Sequence, residues 1–434
     1  MNSSSLSVLI QRKVIMKNGT DHNKYQHIPV RIVLLISFFS IGIFLLIWFW
    51  GDLVHVTYEY NAHTLSSDVL IAATSTVPEV AVPKVVHLDP PHDVKGIYMS
   101  ACVASTPSFR ERVVSLVEET ELNAIVIDVK DYTGTIAFYS QNPLFKDQET
   151  SGCRVSSMKD VLADLHERGI YTIARITVFQ DPYYARKYPE QAVQRASDKG
   201  VWKDYKGLSF VDVGAKQYWE YIVALSKEAY EMGFDELNYD YIRFPSDGNM
   251  QDTFYPISEE MVVADPDLGK AQVLEGFFKY LSQNMKDTGA YLSADLFGMT
   301  MTNSDDLNIG QILEYALPYF DFIAPMTYPS HYPKGFLGYN DVNAHPYEII
   351  KYSMDEGIKR AQAFDRELAS TTPGYSTESE YKIRPWLQDN DYPVPYTPEM
   401  VRAQIQAVYD SGLSSWLLWD AGNTYTRSAL HSAE

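Results

Sequence analysis

Residues 234–245 read FDELNYDYIRFP. In an extended chain alternate side chains share a face, so Glu236, Asn238 and Asp240 fall on one side and Leu237, Tyr239 and Tyr241 on the other. An amphipathic strand of this kind fits the wall of a closed barrel. Its apolar side lies under surrounding helices, its polar side faces the interior, and Asp240 comes last, at the strand's C-terminal end.

Working outward from 234–245, short apolar runs rich in β-branched and aromatic residues alternate with stretches of helical period. Strands are predicted over 96–101, 124–130, 171–179, 234–242, 291–298, 320–328, 382–388 and 415–420. Helices are predicted over 108–120, 156–168, 216–232, 270–286, 305–316, 347–364 and 398–409. Ser108 and Ser156 are placed to cap, Thr397 precedes Pro398 at a first-turn position, and Gly169, Gly233 and Gly412 follow helices where a left-handed residue is wanted. Parallel strands joined by helical crossovers follow from this alternation. Eight of them suit an α/β (β/α)8 TIM barrel over 94–427. A doubly wound sheet would want a glycine-rich phosphate turn after the first strand, and MSACVASTPSFR at 99–110 has none.

Active sites of such barrels lie at the C-terminal strand ends. The fifth strand, YLSADLFGMT from Tyr291, places Ser293, Asp295 and Phe297 on one face, so Asp295 is a second inward acid on the strand next to that of Asp240. Two carboxylates in one cleft can divide into proton donor and ionised partner because their environments push their pKa values apart. Further inward groups are Asp128, Lys130 and Arg175; Asp128 with Arg175 fits either a buried salt bridge or a substrate contact. Arg243 can orient a carboxylate or touch substrate. Aromatic residues crowd the loop side, among them Tyr132, Trp202, Tyr205, Phe244, Tyr328, Tyr332, Trp386, Trp419 and Tyr425, with His331 beside them. Flat rings with polar edges suit sugar faces. No HExxH or similar metal spacing occurs.

The chain carries a net charge of -20, yet the segment before residue 32 holds Arg12, Lys13, Lys17, Lys24 and Arg31 against Asp21 alone. So acidic a body repels phosphate backbones, which argues against nucleic-acid binding. Residues 32–50, IVLLISFFSIGIFLLIWFW, are uncharged and about as long as the 20 or so residues that span a bilayer. They are expected to form a transmembrane signal anchor, with 1–31 as a cytoplasmic basic tail and the rest outside the cell membrane. Residues 51–93, with Pro78, Pro83, Pro90 and Pro91, are expected to be an extracytoplasmic linker. Cys102 and Cys153 follow the first and second strands at adjacent rim positions and are expected to bridge.

Seven stretches taken together, VIDVKDYTGTI from Val126, ARITVFQDP from Ala174, FDELNYDYIRFPSDG from Phe234, SADLFGM from Ser293, IAPMTYPSHY from Ile323, RPWLQDN from Arg384 and WLLWDAGNTY from Trp416, resemble a bacterial glycoside hydrolase family of α-amylase-like TIM barrels. The resemblance runs in order from about Val94 to Arg427. It implies a nucleophile at the end of the fourth strand and an acid/base at the end of the fifth, which match Asp240 and Asp295. α-Amylases carry Glu at the fifth strand, so Asp295 is a departure, and Asn238 stands where the family pattern would have Gln.

These readings together predict a glycosidase acting on an extracellular or cell-envelope polysaccharide. Asp240 is its nucleophile or base and Asp295 its general acid. Asp128, Arg175, Trp202, Glu236, Asn238, Arg243, Tyr328, His331, Trp386 and Trp419 are the substrate-binding candidates, and no cofactor is required. The rivals are a membrane-tethered barrel that binds glycan without cleaving it and an aldolase-type enzyme using Lys130 as a Schiff-base lysine.

Overall fold

The computed structural model describes residues 85–433 apart from 147 and 149–151. Eight parallel strands close into a barrel: β1 (Lys95–Met99), β2 (Ala124–Lys130), β3 (Tyr171–Thr177), β4 (Glu236–Asp240), β5 (Tyr291–Phe297), β6 (Phe322–Met326), β7 (Trp386–Gln388) and β8 (Trp416–Trp419). Each pairs with the next, and β8 returns to β1 through Lys95–Trp416, Gly96–Leu417 and Ile97–Leu418. The seam between β6 and β7 is narrow, carried by the Met326–Trp386 pair and an outlying bridge from Ile323 to Ile383.

Both faces of these strands are covered, so they read as nearly unbroken buried runs; β2 and β3 are buried at every position. Alternation sorts their side chains into two cores. Ile125, Ile127 and Val129 of β2, Leu237 and Tyr239 of β4 and Leu296 of β5 point outward into the large cluster under the helices. Tyr98, Val126, Tyr171, Ile173, Ala324, Trp386 and Leu417 fill the barrel interior.

The crossovers are α1 (Pro107–Glu118), α2 (Met158–Glu167), α3 (Lys216–Met232), α4 (Gly269–Met285), α5 (Leu313–Ala316), α6 (Pro346–Thr371) and α7 (Pro398–Asp410), and a 3-10 turn, Arg427–Ala429, follows β8. Thr397 caps α7 by accepting the N–H of Met400. The caps expected at Ser108 and Ser156 lie instead at Thr106 and Ser157, neither of which makes a side-chain cap bond. The helix expected over 305–316 shrinks to its last turn. Asp306 accepts the N–H of Asn308, Leu307 and Asn308 take positive φ of 52° and 57°, and this local turn outcompetes the helix.

Two expectations about the outer chain are resolved differently. Cys102 and Cys153 are bonded, with Cα atoms 4.9 Å apart, which staples the loop after β1 to the loop after β2. The membrane expectation is corrected: among the described residues no helix is long and apolar enough to cross a membrane, and residues 32–50 lie outside the described residues. The transmembrane part of the expected fold, the membrane partnership and the extracytoplasmic placement are accordingly withdrawn.

Candidate active site

The register that pairs Tyr239 with Ala294 sets Asp240 and Asp295 side by side at the next step, both at the C-terminal rim. They line one cavity of about 710 Å3, a size usual for small-molecule and sugar sites.

Asp240 is held from below. Arg175 donates to its Oδ2 from Nε at 3.1 Å and from Nη2 at 2.5 Å. Its Oδ1 accepts the N–H of Tyr241 at 2.6 Å. Arg175 also donates to Asp128 Oδ1 at 2.7 Å, and Tyr98 donates to Asp128 Oδ2 at 2.5 Å. Burial works against the Arg175 charge, but Asp240 and Asp128 outweigh it and hold the guanidinium protonated. The Tyr98 and Trp419 rings lie 5.6 and 5.2 Å from the guanidinium carbon. The Asp128–Arg175 pair is therefore a buried salt bridge that also positions Asp240, and Asp128 does not line the cavity.

Asp295 has no cation of its own. Asn238 donates to its Oδ1 at 2.9 Å and Trp386 Nε1 at 2.8 Å. Burial, reinforced by the neighbouring Asp240 charge, raises its pKa to about 8, against the pull of Asn238, Arg175 and Trp386. With Oδ1 occupied by two donors, the proton of the neutral acid belongs on Oδ2. The two acids thus stand in opposite environments, one ion-paired and one desolvated.

Of the substrate-binding candidates, Arg175, Arg243, Tyr328, His331, Trp386 and Trp419 line the cavity. Burial and then the Lys206 charge lower the His331 pKa, which favours a neutral imidazole. Glu236, Asn238 and Trp202 do not line it. Glu236 lies four residues before Asp240, about 13 Å down the barrel, fully buried in an ion pair with Arg384 and accepting the Tyr171 hydroxyl at 3.2 Å. Asn238 commits its Nδ2 to Asp295 and Ser293, while its buried Oδ1 has no hydrogen-bond partner among the described residues. Trp202 packs so closely on Gly248 that a Cβ there would come 2.5 Å from its ring, and its Nε1 donates to the Asn249 carbonyl. Of the other aromatic residues noted, Tyr132 and Tyr332 line the cavity, while Tyr205, Phe244 and Tyr425 do not. Lys130 is fully buried, 2.9 Å from Asp181 Oδ2 and donating to the Thr177 carbonyl, which leaves no free amine facing the cavity.

Sequence reasoning put Tyr241 on the outer face. In the structure Tyr241 has φ of 50°, which ends the strand alternation one residue after Asp240 and swings its side chain into the cavity wall. A bulky residue at positive φ is strained and often marks a functional site. The loop between β3 and α3 adds Asp204, Lys206, Leu208 and Phe210, carried on a turn where Asp204 Oδ1 accepts the N–H groups of Lys206 and Leu208. Strand periodicity could not have found these. Among the described residues no three His, Cys, Asp or Glu side chains are grouped so as to hold a metal ion.

A closed (β/α)8 barrel with a carboxylate-bearing, aromatic-walled cavity at its C-terminal strand ends is the framework of a glycosidase. The model of a family described as "Putative glycosyl hydrolase domain" matches residues 96–425, and the chain belongs to that family. Among solved structures, a hypothetical protein from Ruminiclostridium thermocellum ATCC 27405 is 30% identical over 46% of this chain and 96% of that one, with a TM-score of 0.38. The PgaB (BpsB) glycoside hydrolase domain from Bordetella bronchiseptica is 15% identical over 77% of this chain and 95% of that one, with a TM-score of 0.55. A chitobiase from Flavobacterium johnsoniae is 10% identical over 77% and 47%, with a TM-score of 0.49. No curated protein matches by sequence. The family is described as a glycosyl hydrolase domain without further subdivision, so the α-amylase-like subset suggested by the motifs is not singled out.

Proposed function

We propose that the chain hydrolyses a glycosidic bond of a polysaccharide or oligosaccharide, with Asp295 as general acid and Asp240 as nucleophile or base. The observation that carries this reading is the contrast between the two acids: Asp295 keeps its proton to about pH 8, while Asp240 is ion-paired to Arg175. Asp295 Oδ2 protonates the leaving oxygen. Asp240 Oδ1, with one lone pair on the Tyr241 N–H, keeps the other for the anomeric carbon or for a water. Trp386 and Asn238 act on the acid from behind, because their hydrogen bonds stabilise the carboxylate that forms as the proton leaves. The order of roles, ion-paired acid on the fourth strand and proton donor on the fifth, is the one implied by the resemblance of the motifs to α-amylase-like barrels. Cavity-lining Trp419 and Tyr328 offer apolar surface to a sugar ring.

One observation favours the binding-only alternative, namely that Asp240 Oδ2 is tied to Arg175. It would carry the day if Asp295 were locked in an ion pair as well, and Asp295 is not. The test is turnover on a polysaccharide panel. Asp240→Asn should retain glycan binding and lose turnover by about 10^3-fold or more, the scale expected when an essential reacting group is removed. Asp295→Asn should hurt natural substrates far more than activated aryl glycosides, whose leaving groups hardly need a proton. Wild-type turnover by Asp240→Asn would refute the assignment.

A further inference from the structure

The cavity holds a cation that the two-acid chemistry does not use. Arg243, three residues beyond Asp240, lines the wall beside Asp240 and Tyr241. Its Nη1 donates to the Phe244 carbonyl at 3.0 Å and to Ser246 Oγ at 3.1 Å. Nε and Nη2 make no hydrogen bond among the described residues, nor does Arg243 make an ion pair there. These two nitrogens share one edge of the guanidinium, the edge that grips a carboxylate or sulfate with two parallel bonds. The group is held in place rather than waving in solvent: the rings of Tyr241 and Phe297 each lie 5.0 Å from its central carbon, and that of Phe210 lies 5.9 Å away.

Its neighbours do not neutralise it at contact. Asp204 and Asp247 share the wall but lie beyond ion-pair distance of it, and Asp204 Oδ1 is engaged by backbone N–H groups. Lys206, on the same turn as Asp204, also lines the cavity and makes no ion pair among the described residues. A chain with net charge -20 thus presents two cations without ion pairs at its reaction cavity, Arg243 in the wall and Lys206 on the exposed rim. Holding a guanidinium partly out of water without an ion pair is unfavourable, and burial indeed presses the Arg243 pKa down; an anion bound in two parallel hydrogen bonds offsets part of that penalty.

We infer that Arg243, assisted by Lys206, is a specificity determinant for a glycan carrying an acidic substituent, a uronate carboxylate or a sulfate ester, close to the bond that is cleaved. This rests on the hydrolase reading above and names its substrate class. Arg243 does not touch the reacting atoms in this scheme, so its loss removes selectivity and affinity for the acidic sugar while leaving Asp240 and Asp295 in place.

The full-length protein is tested for binding and cleavage of chondroitin sulfate, its desulfated form and its carboxyl-reduced form. Polygalacturonate with its carboxyl-reduced form, a neutral β-glucan and chitosan complete the set. The expected result is that one acidic polymer is bound at least 30-fold more tightly than its neutralised counterpart. The desulfated and carboxyl-reduced arms then tell which anion is read. Arg243→Gln should abolish that preference, the acidic polymer losing far more affinity than its neutral counterpart, and Lys206→Gln should weaken it several-fold. Arg243→Lys, which keeps the charge but not the fork, should fall between; it serves in place of the glutamine variant if that one does not fold.

Equal binding of acidic and neutralised polymers, a preference that survives Arg243→Gln, or a preference for chitosan would overturn the inference. If the wild type cleaves a neutral glycan and shows no preference for either acidic polymer over its neutralised counterpart, the inference falls and the hydrolase reading stands. If no polymer is bound or cleaved by either protein, the hydrolase reading falls first and takes the inference with it.

Discussion

Replacing Asp295 by Asn should make the protein more stable at neutral pH while removing the proposed proton donor. An Asn side chain reproduces the neutral acid: its Oδ1 can accept from Asn238 and Trp386 as Asp295 Oδ1 does now, and its amide takes the place of the Oδ2 hydroxyl. What the substitution removes is ionisation. The folded pKa of Asp295 is raised, by burial first and by Asp240 second, to about 8 from the ordinary carboxyl value of 3.8. A raised folded pKa contributes stability that is fully present below the unfolded value and is lost as pH rises through the folded one. Between about pH 4 and pH 8 the unfolded chain ionises this acid and the folded chain does not, so wild-type stability drains away by about 1.4 kcal/mol per pH unit. At pH 7 the accumulated loss is on the order of 4 kcal/mol.

Urea unfolding of wild type and Asp295→Asn at pH 4, 5.5, 7 and 8 reads this directly. The two should coincide near pH 4, and the gap in favour of the variant should widen with each step up to pH 8. A gap that is absent at pH 7, that has the opposite sign, or that does not change with pH would refute the reasoning. The same titration should appear in wild-type kinetics as a loss of turnover on the alkaline side of about pH 8.

Trp386→Phe removes one donor to Asp295 Oδ1, which should cost about 1–2 kcal/mol of stability for the unpaired acceptor. It should also move the alkaline limb of the pH–rate profile upward, because a hydrogen bond that favoured the carboxylate is gone; a downward shift would contradict the geometry. Arg175→Met leaves Asp128 and Asp240 buried without their shared cation. It should destabilise by about 3–5 kcal/mol, measured by chemical denaturation, and unchanged stability would mean that the ion triad is not formed. Cys153→Ser opens a bridge spanning 51 positions, for which chain entropy gives a loss of about 4 kcal/mol; thermal unfolding with and without reductant should show the wild type, but not the variant, responding to reduction.

Much of the barrel was legible because its signal is local. Runs such as 124–130 and 171–177 are buried on both faces and alternate with long amphipathic segments, so strands and helices announce themselves at their own periods. The inward face of β4 was equally legible, since Glu236, Asn238 and Asp240 differ in polarity from Leu237 and Tyr239. Depth along the barrel was not. Periodicity says that Glu236 points inward, and only the register shows it to be two layers beneath Asp240 and paired with Arg384. The positive φ of Tyr241 was also hidden, because nothing in YDYIRF marks a left-handed tyrosine. Trp202 misled for a third reason: an aromatic ring in a rim loop reads the same whether it faces substrate or, as here, a glycine of the next loop. Lys206 and Phe210 reach the cavity through a turn whose path is set by tertiary contacts, so no spacing rule brings them to Asp240.

The narrow β6–β7 seam carries a consequence for how the enzyme should respond to heat. Trp386 supplies both half of the single register pair that closes the barrel there and one of the two hydrogen bonds on Asp295. The Thr327 hydroxyl and N–H both fasten to the Trp386 carbonyl at 3.0 and 3.1 Å, so a small opening of this seam carries the indole away from the acid. Barrel closure and acid strength are then a single variable. Warming that loosens the seam should weaken the proposed proton donor before any helix melts, and activity should fade several degrees below the unfolding transition rather than with it.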